Sequence, residues 1–296
     1  MFEGFETFDR PGADGVTIHG RVGGAGPPLL LLHGYPQTHA MWHRVAPALA
    51  ERHTVVCADL RGYGRSSKPP TDARHAPYSK RAMARDAVAL MEGFGHGRFG
   101  IAAHDRGARV AHRLAADHPR CVERLAVLDI APTREMYRNT GEDFARLYWH
   151  WFWLTLPAPH PERMIAADPK GFWMFKCAQP AAGGSAGESV FSAEALADYL
   201  DCWTPGTIRA ACEDYRAAAT IDIEHDDADG DRRIDAPLLA LWGAHGAIER
   251  CFDCLALWRE RASDVRGEAL PGGHYLAEEL PDMVVERLLA FFGAQT

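Results

Sequence analysis

Residues 98–110 read Arg98-Phe-Gly-Ile-Ala-Ala-His-Asp-Arg-Gly-Ala-Arg-Val110, and this stretch decides the fold. An apolar run ends at Ala103, and apolar residues recur at helical spacing soon after Gly107. Between the two segments stands Asp105. A strand, a tight turn and then a helix form a nucleophile elbow, which holds one reactive side chain above the end of a parallel sheet. The stretch therefore predicts an α/β architecture with Asp105 as the candidate nucleophile.

An aspartate in this position favours a particular class of electrophile. A carboxylate with an ordinary pKa of about 3.9 is already anionic at neutral pH and needs no base to become a nucleophile. Its attack on an acyl group would give only a mixed anhydride, whereas its attack on a saturated carbon with a leaving group gives an ordinary ester. Asp105 thus favours the opening of a carbon–halogen bond or an epoxide. The alternative is that Asp105 only caps the helix that follows.

Composition limits the classes of function. The chain has 296 residues, of which 47% are hydrophobic, and this fits one large core with an insertion. A net charge of −8 argues against a nucleic-acid partner. We find no apolar run of about 18 residues and no signal-peptide pattern at residues 1–9, so we expect a cytoplasmic protein that does not enter a membrane. The odd number of cysteines, seven, predicts reduced thiols.

The rest of the chain divides into a core and an insertion. Strands are predicted at 15–22, 28–32, 54–60, 125–130, 238–243 and before 270–274, and helices at 79–94, 108–118 and 281–292. Residues 137–176 are far richer in aromatic side chains than the rest, and 180–189 is a loop rich in Gly, Ala and Ser. We therefore expect a core domain at 1–131 and 237–296 and a helical cap domain at 132–236.

An ester on Asp105 would have to be hydrolysed, which requires a base and a carboxylate that orients it. His274 follows Pro271-Gly-Gly on a late loop, in the chain order nucleophile, acid, base. Asp129 ends the strand after the elbow strand and could emerge at the same sheet edge. Glu249 is the first carboxylate in the other loop that could supply the acid. The alternatives are a loop histidine and a capping aspartate.

Two further sets of groups surround the elbow. The backbone N–H groups of Tyr35 and Arg106 are candidates for an oxyanion hole. The side chains of Arg106 and Arg109 are three residues apart and could bind a substrate carboxylate. The alternative is a pair of solvated helix arginines. For His33 and His104 we favour structural roles, with His33 tying loop backbone together and His104 pointing away from Asp105.

Several motifs resemble the fluoroacetate (haloacetate) dehalogenases of the α/β-hydrolase fold, through nearly the whole chain. They are His33-Gly34-Tyr35-Pro36, Asp59-Leu-Arg-Gly-Tyr-Gly64, His104-Asp105-Arg106-Gly107-x-Arg109, Leu128-Asp129-Ile130, Tyr148-Trp149-His150-Trp151, Cys212-Glu-Asp-Tyr-Arg216 and Gly272-Gly273-His274. The first and third are shared with epoxide hydrolases, whereas the paired arginines with His-Trp and Asp-Tyr-Arg are more specific.

The resemblance implies an α/β-hydrolase fold, a mostly parallel central sheet with an inserted helical cap. It also implies that Asp105 is the nucleophile, His274 the base and Asp129 its partner. Arg106 and Arg109 would bind the substrate carboxylate. The halide pocket would consist of His150, Trp151 and Tyr215. No metal or organic cofactor is implied, the substrate would be a small anionic 2-haloacid, and the chain would form a homodimer.

The chain departs from the family pattern at three positions, where the family usually has Gly, Gly and Phe: Ala103, Ala108 and Tyr35. These departures bear on substrate preference more than on the type of reaction. Two other functions stay open. One is an epoxide hydrolase that uses the same aspartate, and the other is a ligand receptor that has kept the fold without turnover.

Overall fold

The computed structural model describes residues 1–177 and 189–293. Its centre is an eight-stranded sheet in the order β1-β2-β4-β3-β5-β6-β7-β8. The strands are β1 Glu6–Pro11, β2 Thr17–Gly23, β3 Pro28–Leu32, β4 Thr54–Ala58, β5 Phe99–His104, β6 Val122–Leu128, β7 Leu238–Gly243 and β8 Val265–Leu270. Strand β2 is antiparallel to both β1 and β4, and every pairing from β4 to β8 is parallel.

Helices cover the sheet and fill the long connection between β6 and β7. The α-helices are α1 Ala46–Ala50, α2 Lys80–Gly93, α3 Asp105–Asp117, α4 Thr133–Arg138, α5 Glu142–Leu147, α6 His150–Trp153, α7 His160–Ala167, α8 Pro169–Cys177, α9 Ala193–Cys202, α10 Pro205–Ala218, α11 Ile221–Asp229, α12 Ala247–Cys251, α13 Cys254–Arg261, α14 Leu276–Glu279 and α15 Pro281–Gly293. No helix within the described ranges has the length and apolar character needed to cross a membrane.

The central strands are buried on both faces, which explains their continuous apolar runs. Residues 29–32 of β3 are at most 2% exposed, and β5 and β7 are buried along their whole length. Because parallel strands end at one edge of the sheet, the residues that follow β3, β5, β6 and β8 lie at the same edge. This topology places Tyr35, Asp105, Asp129 and His274 together.

Most of the predicted elements are confirmed, with shifted ends. Strands β3 and β7 have the predicted bounds, and α2 begins after Ser79, whose hydroxyl accepts a hydrogen bond from the Ala82 N–H at 3.2 Å. Helix α3 begins at Asp105 itself, three residues earlier than predicted. Strand β1 was missed, because its sequence Glu-Thr-Phe-Asp-Arg-Pro is polar and forms a strand only by pairing with β2.

Within the described residues, the connection from β6 to β7 contains helices and no strand. The division at 131/132 and 236/237 remains a prediction, and 180–188 of the predicted loop lie outside the described residues. All seven cysteines are free thiols, as predicted. The C-x-x-C spacing of Cys251 and Cys254 predicts two thiols on one helix, and this prediction is wrong, since Cys251 ends α12 and Cys254 begins α13.

Candidate active site

Asp105 occupies a strained turn between β5 and α3. Its φ is +42°, in the left-handed region that a residue with a side chain rarely adopts. Two glycines permit this turn. A Cβ on Gly34 would lie 2.6 Å from the Asp105 Cβ, and a Cβ on Gly107 would lie 2.4 Å from the His33 carbonyl oxygen. The start of α3 can therefore press against the end of β3 and hold Asp105 at the sheet edge.

The Asp105 carboxylate is buried, with an exposed fraction of 3%, yet it lies among positive groups. The backbone N–H of Tyr35 donates to its Oδ2 at 3.1 Å. Burial alone would raise the pKa of Asp105, but the charges of His274, Arg109 and other nearby groups outweigh it and hold that pKa below its ordinary value. The carboxylate is consequently anionic at neutral pH.

His274 and Asp129 lie in direct contact at the same edge. The His274 Nδ1 is 2.5 Å from the Asp129 Oδ2, and the fully buried Asp129 accepts a second hydrogen bond from the Gly243 N–H at 2.9 Å. Asp129 also has a positive φ, +51°, at the turn that follows β6. This carboxylate can fix the orientation of the imidazole. Glu249, the alternative acid, instead binds the indole N–H of Trp242.

Glu279, which the sequence analysis did not identify, fixes the backbone around His274. Its carboxylate accepts the Gly273 N–H at 2.7 Å and the Tyr275 N–H at 2.8 Å, so it binds on both sides of the histidine. The only sequence signal is a glutamate five residues after the histidine. His104 contributes a third contact, since its Nε2 lies 2.8 Å from the His274 carbonyl oxygen.

The histidines for which we expected structural roles make backbone contacts. The His33 Nδ1 is 2.9 Å from the Gly34 carbonyl oxygen, and its Nε2 accepts the Leu60 N–H at 3.0 Å. His33 therefore ties the loop after β3 to the loop after β4, as predicted. His104 contacts the loop that carries His274.

Arg106 is completely buried and is held by Asp214 of α10. Its Nε donates to Oδ2 at 2.8 Å, and its Nη2 donates to Oδ1 at 2.7 Å and to the Asp214 carbonyl oxygen at 3.0 Å. Asp214 also binds the buried Lys80 and accepts the Tyr63 hydroxyl at 2.6 Å. The Arg106 Nη1 alone has no partner among the described residues. This residue is thus an anchored cation and not a solvated helix arginine.

Arg109 is buried beside it. Its Nη1 donates to the Ala131 carbonyl oxygen at 3.2 Å and to the Thr133 hydroxyl at 3.0 Å, while its Nε has no partner in the described part of the chain. The guanidinium lies 4.5 Å from the centroid of the Trp151 ring. A substrate anion could therefore accept hydrogen bonds from one unpartnered nitrogen of each arginine.

Several buried donors on aromatic side chains also have no hydrogen-bond partner within the described ranges, and five of these donors belong to rings linked by one chain of contacts. The five are the hydroxyls of Tyr35, Tyr137 and Tyr215, the Nδ1 of His150 and the Nε1 of Trp151. These rings contact one another, with centroid distances of 5.2 to 6.4 Å between the pairs that include Tyr215. Unpaired buried donors are costly, so their convergence indicates a site for an acceptor atom.

The pKa values of these donors keep them neutral. Burial, and after it the charge of Lys176, holds the pKa of His150 well below its ordinary value. Burial and the Asp105 charge raise the pKa of Tyr215 well above its ordinary value. A neutral imidazole and a phenol can both donate to an anion without a change of protonation state.

A cavity of about 350 Å³ leads to Asp105. Its lining includes Tyr35, Tyr148, His150, Lys176 and His274. Arg106, Arg109 and Trp151 are not part of this lining. A second cavity, near His112 and Asp226, contains none of the candidate site residues.

One cluster has the residue types of a metal site. Ligand atoms of His19, His39 and Asp59 lie within 4.8 Å of one another. However, Asp59 already accepts the His39 N–H and Nδ1 at 2.7 and 2.9 Å and the Arg65 N–H at 2.8 Å, and the His19 Nδ1 is 2.9 Å from Asp9. The carboxylate oxygens are thus used by the protein, and we interpret the cluster as structural.

Comparison with known proteins agrees with this architecture. Residues 27–175 match the family model described as alpha/beta hydrolase fold. This chain is an α/β-hydrolase. The hydrolase is similar to a fluoroacetate dehalogenase from Burkholderia sp., with 46% identity over 98% of this chain and 95% of the relative. It is 33% identical to a soluble epoxide hydrolase from Corynebacterium sp. strain C12, over 94% of each chain. The crystal structure of a putative alpha/beta hydrolase from Nostoc sp. PCC 7120 matches all of both chains with a TM-score of 0.94 and 49% identity.

Proposed function

We propose that this α/β-hydrolase hydrolyses haloacetates, including fluoroacetate, to glycolate and halide. The observation that carries the proposal is an anionic elbow carboxylate, Asp105, beside two buried arginines and a group of unpartnered neutral donors. Such a site suits an anionic substrate whose leaving group departs as a second anion. The similarity to the Burkholderia dehalogenase supports the same substrate class.

The proposed reaction has two steps. An Asp105 carboxylate oxygen attacks C2 of the haloacetate, the carbon–halogen bond breaks, and the halide leaves with its electron pair. His274 then accepts a proton from water, and the resulting hydroxide attacks the ester carbonyl carbon of Asp105. The backbone N–H groups of Tyr35 and Arg106 are the candidate donors to the oxyanion. When the tetrahedral intermediate collapses, the bond from the Asp105 carboxyl carbon to the glycolate oxygen breaks, that oxygen takes the proton from His274, and Asp105 releases its own proton to become a carboxylate again.

The first experiment is a halide-release assay with fluoroacetate, chloroacetate, bromoacetate and 2-chloropropionate. Release of halide with stoichiometric glycolate or lactate is expected.

The relative from Corynebacterium and the buried cap tyrosines favour a second candidate, an epoxide hydrolase in which phenols donate to the epoxide oxygen. Diol formation from an epoxide, without halide release from any haloacid, would show that the protein is an epoxide hydrolase and not a dehalogenase. Binding of a small acid with no turnover of either class would indicate a receptor.

The covalent intermediate can be tested directly. In His274→Ala, the ester should form and persist, so mass spectrometry should locate a carboxymethyl group on the peptide that contains Asp105. Asp105→Ala should show neither adduct nor turnover. His245→Ala removes another histidine of the same cavity and should not accumulate the adduct. If a single turnover in ¹⁸O-labelled water put the label straight into glycolate, the two-step mechanism would be wrong.

We further propose that His150, Trp151 and Tyr215 donate hydrogen bonds to the departing halide. Fluoride concentrates its charge on a small atom, so its departure gains most from several short hydrogen bonds in a dry site. Trp151→Phe or Tyr215→Phe should cost about 2–4 kcal/mol in the activation free energy with fluoroacetate and clearly less with chloroacetate. Equal losses on both substrates at an unchanged melting temperature would argue that these residues only pack the cap.

The homodimeric state and the cytoplasmic location remain predictions of the sequence. Sedimentation equilibrium at micromolar concentration tests the first, with twice the monomer mass of 32.6 kDa as the expected result.

A further inference from the structure

The cavity that leads to Asp105 has negatively charged groups in its lining, which disfavour the entry of an anion. The hydrolase has a net charge of −8, and the cavity that leads to the nucleophile is lined by two carboxylates, Asp105 and Glu279. Arg106 and Arg109 do not line this cavity, and both are at most 2% exposed. An anionic substrate in this cavity therefore meets two carboxylates and no arginine side chain in the described lining.

Lys176 is the one permanently charged cation in the described lining of this cavity. It lies in the last turn of α8 and is half-buried, and among the described residues it has no hydrogen bond and no ion pair. Its charge is the largest contribution, after burial, to the lowered pKa of His150. The ammonium group therefore acts on the part of the cavity next to the candidate halide site.

The other three lysines of the chain do not have this position. Lys80 is buried against Asp214, and Lys68 donates to the Gly64 and Ser66 carbonyl oxygens at 2.7 and 3.0 Å. Lys170 is exposed on the first turn of α8. Lys176 has no counter-ion among the described residues, and a half-buried charge of this kind raises the local concentration of anions, because the low-dielectric walls of a cavity strengthen its field.

We propose that Lys176 is a specificity-determining residue that draws the anionic substrate into the cavity and stabilises its carboxylate there, ahead of Arg106 and Arg109. The proposal rests on the haloacid function proposed above. Selection for an anion then has two stages, an accessible ammonium in the cavity lining and two buried guanidiniums outside that lining. Lys176 then affects the capture of substrate and not the chemical steps.

The test compares Lys176→Gln with Lys176→Arg and with Lys170→Gln, a control on the same helix. With chloroacetate at an ionic strength of about 0.01 M, where the Debye length is ~30 Å, Lys176→Gln should lower kcat/KM about fivefold through KM, with kcat unchanged. At about 1 M, where the Debye length is ~3 Å, the difference should fall below twofold. Lys176→Arg and Lys170→Gln should behave like the wild type.

Calorimetric titration with glycolate measures binding and needs no turnover. It therefore tests the role of Lys176 even if the protein does not hydrolyse haloacids. Lys176→Gln should bind glycolate about fivefold more weakly than the wild type at low salt. The inference is overturned if Lys176→Gln binds glycolate as the wild type does, if its loss in kcat/KM does not depend on salt, or if the loss lies in kcat. Lys176→Met serves as the charge-removing variant if Lys176→Gln does not fold.

Discussion

Replacing Asp214 by Asn removes the charge that holds two buried cations, and we expect a large loss of stability. Asp214 accepts three hydrogen bonds from Arg106 and also binds Lys80, and all three side chains are at most 3% exposed. Burial alone would raise the pKa of Asp214, but the Arg106 and Lys80 charges lower it below its ordinary value. Its contribution to stability is thus present at neutral pH and is lost only as strong acid protonates the carboxylate.

The size of the stability loss depends on which partners Arg106 and Lys80 keep after the substitution. Breaking a buried ion pair by removing one member typically costs about 3–5 kcal/mol, because an uncompensated charge stays buried. Lys80 keeps Asp222 at 3.8 Å, so we expect the lower end, about 3 kcal/mol. With an unfolding entropy of about 2.1 cal/mol/K per residue, the whole chain gives roughly 0.6 kcal/mol/K, and the melting temperature should fall by about 5 °C.

Calorimetric melts of Asp214→Asn and of a matched control decide this prediction. Asp227→Asn also removes a carboxylate from an arginine pair, but that side chain is 44% exposed, so its melting temperature should change by about 1 °C or less. Asp214→Asn should in addition lower kcat/KM for chloroacetate, because an NH2 group replaces one of the two carboxylate oxygens that accept from Arg106 and orient it. A fall in melting temperature no larger than that of Asp227→Asn would refute the reasoning.

Substitutions at three other positions, with one glycine control, test further features. Burial raises the pKa of Glu278 to about 7, above its ordinary 4.5. The unfolding free energy should therefore fall by up to about 3 kcal/mol as the pH rises from the ordinary pKa to the raised one. Urea titrations should show this fall in the wild type and not in Glu278→Gln. Glu279→Ala should lower kcat about tenfold and Glu279→Gln less, since the amide keeps one acceptor for the backbone beside His274, and an equal effect of both would contradict the positioning role. Gly107→Ala should cost about 1–3 kcal/mol by overpacking, whereas Gly93→Ala, with open space around it, should not; equal melting temperatures would count against the close approach.

Sequence patterns predicted those parts of the structure that depend on local geometry. The apolar run Pro28–Leu32 predicted a strand, and Ser79 as an N-cap predicted the start of a helix. Both signals are local, because side-chain periodicity and capping act within a few residues. The sequence also allowed Asp105, Asp129 and His274 to be predicted as one site. Asp105 and Asp129 directly follow strands that end at one edge of a parallel sheet. Their catalytic roles stay predictions until the variants are measured.

The sequence by itself thus indicated most strands of the sheet, the elbow and the residues proposed to carry the chemistry. Only the tertiary structure decided how these residues are held. Asp214 is 108 positions from Arg106, and nothing in either local pattern indicates that the two side chains meet. The same holds for Lys176, which lines one cavity with His150 and has no partner in the described part of the chain, and for strand β1, which exists only through its pairing with β2. The physical reason is that the contacts of Asp214 and Lys176 depend on how the helices between β6 and β7 pack over the sheet, and packing joins residues whose separation along the chain carries no signal.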